Sequence, residues 1–237
     1  MYVPAHFAVD DLDEIAGFVA RAGAAELVTF DGIRPVATLL PVLWDWPDGG
    51  GASGAKGESG RGAGGTGSRY GRYGRLVGHV ALANPQWDSA LPDVPALAIV
   101  HGPQAYISPS WYQSTTQHGR TVPTWNYTSV HLTGPVTFHR DEGWLREAVT
   151  RLTERYESGR DGRWWVSDAP EKYIAGQLRA IVGVEMRVEQ VEAKDKLSQN
   201  QNLADRAGVI AALRTEPDAG SHAIADLMAA REAAAEG

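Results

Sequence analysis

A glycine-rich segment at residues 49–74 sets the strongest limit on how this chain folds. It holds 12 of the 27 glycines of the 237-residue chain, and no apolar side chain larger than alanine precedes Tyr70 within it. Such a segment cannot bury enough apolar surface to offset the entropy lost on ordering, so we expect a flexible loop. The core must therefore be built from the residues on either side. A long loop inserted in a hairpin costs little, because closure entropy rises slowly with length.

The charge balance does not favour a general nucleic-acid binder. Lys and Arg together number 22 and Asp and Glu 29, which gives a net charge of −7. Non-specific DNA affinity depends on clustered cations that neutralise phosphates. Here the glycine-rich segment carries a local charge of +3. That segment is either a plain hairpin insertion or a lid or nucleic-acid-touching arm, and DNA is a partner that the charge does not support.

The residue inventory excludes several chemistries. The chain has no cysteine, which excludes disulfides, thiolate metal sites and cysteine nucleophiles. None of the histidines has the spacing of a compact metal motif such as H-E-x-x-H. No apolar run approaches the roughly 20 residues of a spanning helix, and no signal-peptide pattern is visible. We therefore expect no resident metal, no membrane partner and a cytoplasmic location.

Short apolar runs separated by turn signals predict an α+β fold with antiparallel strands. Asp31-Gly32 is typical of a two-residue type I′ hairpin turn. Strands are predicted over 25–30, 33–44, 76–83, 96–101, 105–108, 125–139, with a bend at Gly134-Pro135, and 182–193. Helices are predicted over 10–22, 141–156, 170–178, 203–214 and 221–234, and Asn84-Pro85 has the form of a helix start. Because there is no βαβ alternation, a small antiparallel barrel with peripheral helices is the predicted architecture.

Three stretches hold side chains suited to a cofactor site. Indole rings offer flat apolar surface, and hydroxyls and amides provide the polar rim that a planar ligand needs. A lysine and a serine at the end of a strand, just before a helix, suit a phosphate. The plain alternatives are a structural histidine, an aromatic corner of the core and a solvated turn. The candidates are His79, Asn84, Trp87, Ser108, Trp111, Tyr112, Thr124, Trp125, Asn126, Tyr127, Lys196, Ser198 and Gln199.

Five stretches in order resemble the PaiB-type family, which is known as the FMN-binding negative transcriptional regulators. They are MYVPAHF, GHVALANPQW, HGPQAYISPSWY, VPTWNY and KLSQN. The resemblance implies the FMN-binding split β-barrel, similar to pyridoxamine-phosphate oxidases, and a homodimer with the cofactor at the subunit interface. It implies a split-barrel domain at 1–200, with a glycine-rich insertion at 47–75, and a C-terminal helical extension at 201–237.

The resemblance also implies that the candidate residues line the cofactor groove. Our assignment of roles gives the phosphate to Lys196 and Ser198. It gives the flavin ring to Trp111, Trp125 and Tyr127, and the polar edge of the ring to Asn84, Thr124 and Asn126.

Two positions depart from the family pattern and leave alternatives open. Leu39 and Leu82 stand where the family usually has His and Arg. If that Arg meets the phosphate, a contact of about 1.5–3 kcal/mol is missing. The predicted function is a dimeric FMN-binding negative regulator, acting directly or indirectly. The first alternative is an enzyme on the same fold: a flavin oxidoreductase, or a haem b enzyme that forms an N–N bond, as the PaiB-like piperazate synthases do, with His79 as axial ligand. The second alternative is a cofactor-free scaffold.

Overall fold

The computed structural model describes residues 1–46 and 72–236, so most of the predicted insertion at 47–75 lies outside the described residues. The α-helices are α1 (Leu12–Ala22), α2 (Gln86–Ser89), α3 (Gln113–His118), α4 (Glu142–Glu157), α5 (Glu171–Leu178), α6 (Leu203–Leu213) and α7 (Ala219–Glu236). The strands are β1 (Ala24–Phe30), β2 (Pro35–Asp45), β3 (Arg75–Ala81), β4 (Ala96–Ile107), β5 (Thr124–Gly134), β6 (Val136–His139), β7 (Ile181–Arg187) and β8 (Gln190–Lys196).

The described chain forms two compact units, each assembled from separated segments. The first unit comprises Met1–Asp11, His101–Val130 and Glu192–Gly237. The second unit comprises Leu12–Val100 and His131–Val191. The predicted boundary between residues 200 and 201 stays a prediction.

The second unit contains an antiparallel sheet in the order β6-β7-β3-β2-β1, with the first part of β4 beside β1. Helices α4 and α5 bury Leu145, Ile174 and Leu178 in one cluster. The Trp144 ring of α4 lies directly over β7, and a Cβ at Gly183 would sit 2.1 Å from its Cζ3 atom. Only glycine leaves room for that ring, so Gly183 allows the helix to approach the sheet closely at this point.

The two strands that flank the insertion are held together by contacts at their ends. Asp45 of β2 pairs with Arg75 of β3 in the antiparallel ladder, and the Arg75 Nε donates to an Asp45 carboxylate oxygen at 2.9 Å. The Trp44 Nε1 donates to the carbonyl of Tyr73 at 2.8 Å, and the Trp46 ring stacks on the Tyr73 ring at 6.0 Å. The insertion therefore joins two neighbouring antiparallel strands.

The first unit contains the end of β4, the start of β5 and β8 as hydrogen-bonded neighbours. The chain before α1 runs beside β8, since Ala8 forms an antiparallel bridge with Lys194 and the Val9 N–H donates to the Ala193 carbonyl at 3.2 Å. Helices α6 and α7 cover a core shared with β4. Its buried members are Ala105, Ile107, Tyr112, Leu197, Val209, Ile210, Leu213, Ile224, Ala225 and Met228.

The predicted antiparallel α+β class is confirmed, with three corrections. The hairpin after β1 has a four-residue turn, because Phe30 pairs with Pro35 and the Asp31 carboxylate accepts the amide protons of Ile33 and Arg34 at 2.8 Å each. The predicted strands 96–101 and 105–108 are one strand. The predicted strands 125–139 and 182–193 are each two strands, and the first breaks at Pro135, which has no amide proton to donate to a ladder.

Candidate functional site

The structure divides the predicted site residues between the two units. His79, Asn84 and Trp87 lie in the second unit. The other ten lie in the first unit, on the segment that follows β4, on β5 and on β8 and its turn.

In the second unit, Asn84 and Trp87 belong to a hydrogen-bonded turn that leads into α2. The Asn84 side chain donates to Thr38 Oγ1 at 2.9 Å and accepts the Gln86 N–H at 3.0 Å. The Trp87 Nε1 donates to the Leu82 carbonyl at 2.9 Å. Leu82 thus contributes its backbone to this turn. Leu39, the other departure from the family pattern, is 69% exposed on β2.

His79 lies on β3, opposite Gly183 of β7. Its Nδ1 atom is buried without a hydrogen-bond partner in the described part of the chain. Burial lowers the pKa of His79, so the imidazole is held in its neutral form. The neutral form is the one that binds metals, but a ligating histidine usually has its other nitrogen hydrogen-bonded, which orients the ring.

In the first unit, Lys196 at the end of β8 is joined to two predicted residues of β5. Its Nζ donates to Thr124 Oγ1 at 2.6 Å and also to the carbonyl oxygen of Trp125. Burial, and then the positive charge of Lys194, lower the pKa of Lys196. The sequence therefore identified three residues that the fold does bring together.

A second lysine beside Lys196 was missed by the sequence reasoning. Lys194 is only 7% exposed, and its Nζ lies 5.1 Å from the centre of the Tyr127 ring and 5.9 Å from that of Phe7. It donates to the Tyr2 carbonyl at 3.2 Å. Residues two apart on a strand share a face, and this spacing was the signal that both lysines belong to one site. Among residues 1–46 and 72–234, no carboxylate pairs with either lysine, and the neighbouring Glu192 and Asp195 pair with the N-terminus and with Arg231.

Three other predicted residues form a buried polar cluster between β5, the β8 turn and α7. Asn126 is fully buried, and its Nδ2 lies 3.0 Å from Ser198 Oγ and 3.4 Å from Met228 Sδ. Tyr112 is also bonded to Ser198, and burial, together with the charge of Asp205, raises the pKa of the Tyr112 phenol. These side chains make their hydrogen bonds within the fold, so their predicted contact with a cofactor stays a prediction.

The turn after β8 is closed by Gln199. Its Oε1 accepts the Leu197 N–H at 2.7 Å and its Nε2 donates to the Asp195 carbonyl at 2.6 Å. Ser198 at the centre of this turn has φ 63°, an unusual value for a residue other than glycine. The turn is thus held by side-chain bonds in a conformation that costs energy, which is a common property of functional segments.

Two exposed aromatic side chains of the first unit lie on β4 and β5. Trp125 is 53% exposed and packs edge-to-face against Tyr106, which is 47% exposed, with ring centres 6.3 Å apart. Trp111 packs partly into the core below. Ser108 bonds with Ser110 at 2.8 Å, at the start of the short helical turn that contains Trp111. The exposed ring of Trp125, whose backbone carbonyl accepts a hydrogen bond from Lys196, offers flat apolar surface of the kind that a planar ligand needs.

The sequence analysis also missed a structural residue inside the stretch GHVALANPQW. Gln86 is 1% exposed, and its Nε2 donates to the Leu27 carbonyl, Thr29 Oγ1 and the Val36 carbonyl at 2.9–3.1 Å. It ties α2 to the β1–β2 hairpin. A glutamine in an otherwise exposed turn gives no sequence signal of such burial.

The described residues contain no helix that could cross a membrane and no group of three or more His, Asp or Glu side chains arranged to hold a metal ion. What the described part of the first unit offers instead is a buried lysine, a partly buried lysine, a threonine hydroxyl and an exposed indole. Such groups bind and orient an anionic planar molecule.

The fold defines the class: an α+β split-barrel protein. The family described as "Putative FMN-binding domain" matches residues 1–190, and the chain belongs to this family. The chain is 33% identical over 229 residues to the protease synthase and sporulation protein PAI 2 of Bacillus subtilis, which covers 96% of each protein. The resemblance to the PaiB-type family predicted from the sequence motifs is therefore confirmed.

Solved structures support the fold. The flavocytochrome Anf3 from Azotobacter vinelandii superposes with a TM-score of 0.54 at 13% identity, over 87% of this chain and 78% of that one. The FAD and haem binding protein from Mycobacterium smegmatis gives a TM-score of 0.51 at 13% identity, over 84% of this chain and 78% of that one. At this identity the likeness concerns the fold alone, and it confirms the predicted split barrel.

Proposed function

We propose that this protein binds FMN on the surface of its first unit, with the phosphate at Lys194 and Lys196 and the ring against Trp125. The observation that carries the proposal is the lysine pair, which has no carboxylate partner in the described part of the chain. Membership of the FMN-binding family supports flavin as the ligand.

The physical argument concerns the cost of two neighbouring cations. Lys194 is buried among aromatic rings. The burial of Lys196 itself, and then the positive charge of Lys194, disfavour the charged form of Lys196. A phosphate dianion removes this cost, because each ammonium gains a charge-assisted hydrogen bond. Thr124 Oγ1, which contacts Lys196, supplies a further hydroxyl at the same place. The donor set therefore fits the phosphate of FMN.

We further propose a homodimer that covers the exposed apolar surface of the first unit. Tyr106, Val122 and Trp125 are 47%, 73% and 53% exposed. Apolar side chains left open in this way mark binding sites or protein interfaces. A second copy packed here would enclose the flavin ring and exclude water from it, as the family resemblance implies for the cofactor at a subunit interface.

The biological role we propose is negative regulation that does not require direct DNA contact. The name of the Bacillus subtilis relative refers to protease synthesis and sporulation, which is consistent with a regulatory role. A net charge of −7 does not favour DNA as the direct partner. In an electrophoretic mobility assay at low salt we expect no shift of promoter fragments, and a specific shift would overturn the indirect role.

A haem-binding enzyme is the second candidate, and it rests on His79. The names of two solved structures of this fold refer to haem or a cytochrome, and burial keeps the His79 imidazole neutral. The unpartnered Nδ1 argues against it, since the usual orienting hydrogen bond is missing among the described residues. The absorption spectrum with added hemin distinguishes the two cofactors. A Soret band that appears with the wild-type protein and is lost in His79→Ala would favour haem over FMN.

The test of FMN binding is a titration monitored by quenching of flavin fluorescence, with light scattering to count subunits. Lys196→Gln should weaken binding by about 10-fold or more, since hydrogen bonds to charged groups contribute roughly 1.5–3 kcal/mol. Lys172→Gln, which removes an exposed lysine of α5, is the matched control and should bind as the wild type does. Absence of saturable FMN binding by the wild-type protein would instead support the cofactor-free scaffold.

A further inference from the structure

A small cavity in the second unit is lined by two arginines and by apolar side chains. It lies where α4 begins, α5 ends and β7 begins. Its volume is about 120 Å³, well below the roughly 300–1,000 Å³ of pockets that hold drug-sized ligands. A ligand of this cavity must therefore be small. The lining residues are Arg140, Glu142, Leu145, Leu178, Arg179 and Ile181.

The apolar part of the lining belongs to the core of the second unit. Leu145 and Leu178 are 2% and 3% exposed, and Ile181 packs against the same cluster. These side chains are fixed by their packing, so they form a preformed apolar wall beside the two guanidinium groups. A wall of this kind suits a ligand that has a short apolar body as well as an anionic group.

The turn that contains Leu82 positions residues on both of the segments that carry the arginines. The Trp87 Nε1 donates to the Leu82 carbonyl at 2.9 Å, and the Arg140 guanidinium lies 5.6 Å from the centre of the Trp87 ring, within cation–π range. The Leu82 N–H donates to the carbonyl of Ala180 at 2.8 Å, directly after Arg179. The turn thus supports the Arg140 side chain and fixes the backbone next to Arg179.

The charges that line the cavity leave a positive excess. Neither Arg140 nor Arg179 forms an ion pair with a carboxylate in the described part of the chain. Glu142 also lines the cavity, and its carboxylate accepts a hydrogen bond from Arg146 at 3.4 Å. Two arginines and one glutamate carry a net charge of +1, which a monoanion balances and a phosphate dianion exceeds.

We propose that this cavity binds a small monocarboxylate with a short apolar chain. Each guanidinium offers a planar fork of N–H donors that matches the two oxygens of a carboxylate. The apolar chain of the ligand covers Leu145 and Leu178. The site goes beyond the flavin binding proposed above and does not depend on it, because none of the lining residues belongs to the proposed FMN surface.

The experiment uses butyrate as the probe, titrated into the full-length protein at constant ionic strength and followed by saturation-transfer NMR. Butyramide, which has the same shape and no charge, is the matched ligand control. Butyrate should bind with a Kd of roughly 1–10 mM, and butyramide at least about 10-fold more weakly. Equal binding of the two ligands, no saturable binding of butyrate, or tighter binding of inorganic phosphate would each overturn the proposal.

Substitution of the arginines locates the site. Arg140→Gln and Arg179→Gln should each weaken butyrate binding by about 10-fold, because one charge-assisted contact is lost. Arg140→Lys keeps the charge without the planar fork and should recover only part of the affinity. The control is Arg34→Gln, at a side chain of the same unit that is 79% exposed, and it should bind as the wild type does. Unchanged butyrate affinity in both glutamine variants would refute the assignment.

The outcome is separable from that of FMN binding. The same Arg179→Gln sample is titrated with FMN by flavin fluorescence, and its FMN affinity should equal that of the wild type. A parallel loss of FMN and butyrate affinity would place Arg179 in the flavin site and overturn the separate carboxylate site. Butyrate binding by a wild-type protein that does not bind FMN would support the carboxylate site and contradict the flavin proposal alone.

Discussion

Replacing Asp205 with Asn should destabilise the first unit measurably, although the two side chains have nearly the same shape. Asp205 is 1% exposed, and its carboxylate accepts the Ser114 N–H and the Asn202 Nδ2–H at 2.8 Å each. It thereby holds the start of α3, immediately after Tyr112, against the start of α6. Burial alone would raise the pKa of Asp205, but the hydrogen bonds from Ser114, Asn202 and Gln113 outweigh it and hold the pKa below its usual range.

The magnitude follows from these bonds. An amide at position 205 keeps one oxygen for Ser114 but turns an NH2 group toward the Asn202 amide donor. The charged hydrogen bond from Asn202 is lost and the others become neutral, and bonds to charged groups contribute roughly 1.5–3 kcal/mol each. We expect Asp205→Asn to lower the free energy of unfolding by about 2–4 kcal/mol, or the Tm by roughly 5–15 °C. The control is Asp226→Asn, at a carboxylate that is 79% exposed, and it should change the free energy of unfolding by less than about 0.5 kcal/mol.

The assay is urea unfolding followed by tryptophan fluorescence at several pH values. Because the folded pKa of Asp205 lies below the unfolded value, its contribution is complete above about pH 4–5 and is lost as the pH falls through the folded pKa. The difference between wild type and Asp205→Asn should therefore narrow on acidification. Equal stability of Asp205→Asn and Asp226→Asn at neutral pH, or a difference that does not change with pH, would refute this reasoning.

Two further substitutions test the packing of the second unit by the same assay. Gly183→Ala should lower the free energy of unfolding by about 1–3 kcal/mol, because the new Cβ would overlap the Trp144 ring. The control is Gly176→Ala on α5, where the nearest atom to the new Cβ is 4.0 Å away, and this substitution should leave the stability unchanged or raise it. An equal effect of the two would contradict the close approach. Gln86→Glu should lower the free energy of unfolding by at least about 3 kcal/mol at neutral pH, because the ionised carboxylate would face three acceptors. The loss should be smaller near pH 4, because protonation of the carboxylate restores one donor. A loss independent of pH would count against the buried network.

The elements that the sequence predicted well are those with local signals. The apolar spacing in α1 and α4 and the positive-φ glycine at position 23 mark helices and their ends without tertiary context. The type I′ turn was wrong because Asp31 bonds the amides of residues 33 and 34, a choice that Asp-Gly alone does not determine. The missed α3 has a polar sequence, and its first turn is held by Asp205 from a distant part of the chain.

In the candidate site, too, the features with a local sequence signal were predicted and those that depend on long-range packing were missed. The motif around Lys196 was identified because lysine before a serine-containing turn is a local pattern. The role of Lys194 depends on rings from Phe7 and Tyr127, which no local pattern brings together. Likewise the full burial of Asn126 results from packing against Ser198 and Met228. Short-range sequence patterns name the residue types of the site, and long-range packing decides which of them are left for a ligand.

Comparison of FMN with riboflavin, which lacks the phosphate, tests the central claim most directly. If Lys196 binds the phosphate, the wild-type protein should bind FMN at least about 10-fold more tightly than riboflavin. In Lys196→Gln this preference should shrink while riboflavin affinity stays close to that of the wild type. Equal affinity of the wild type for both flavins, or an undiminished preference for FMN in Lys196→Gln, would contradict the assignment of this surface as the phosphate site.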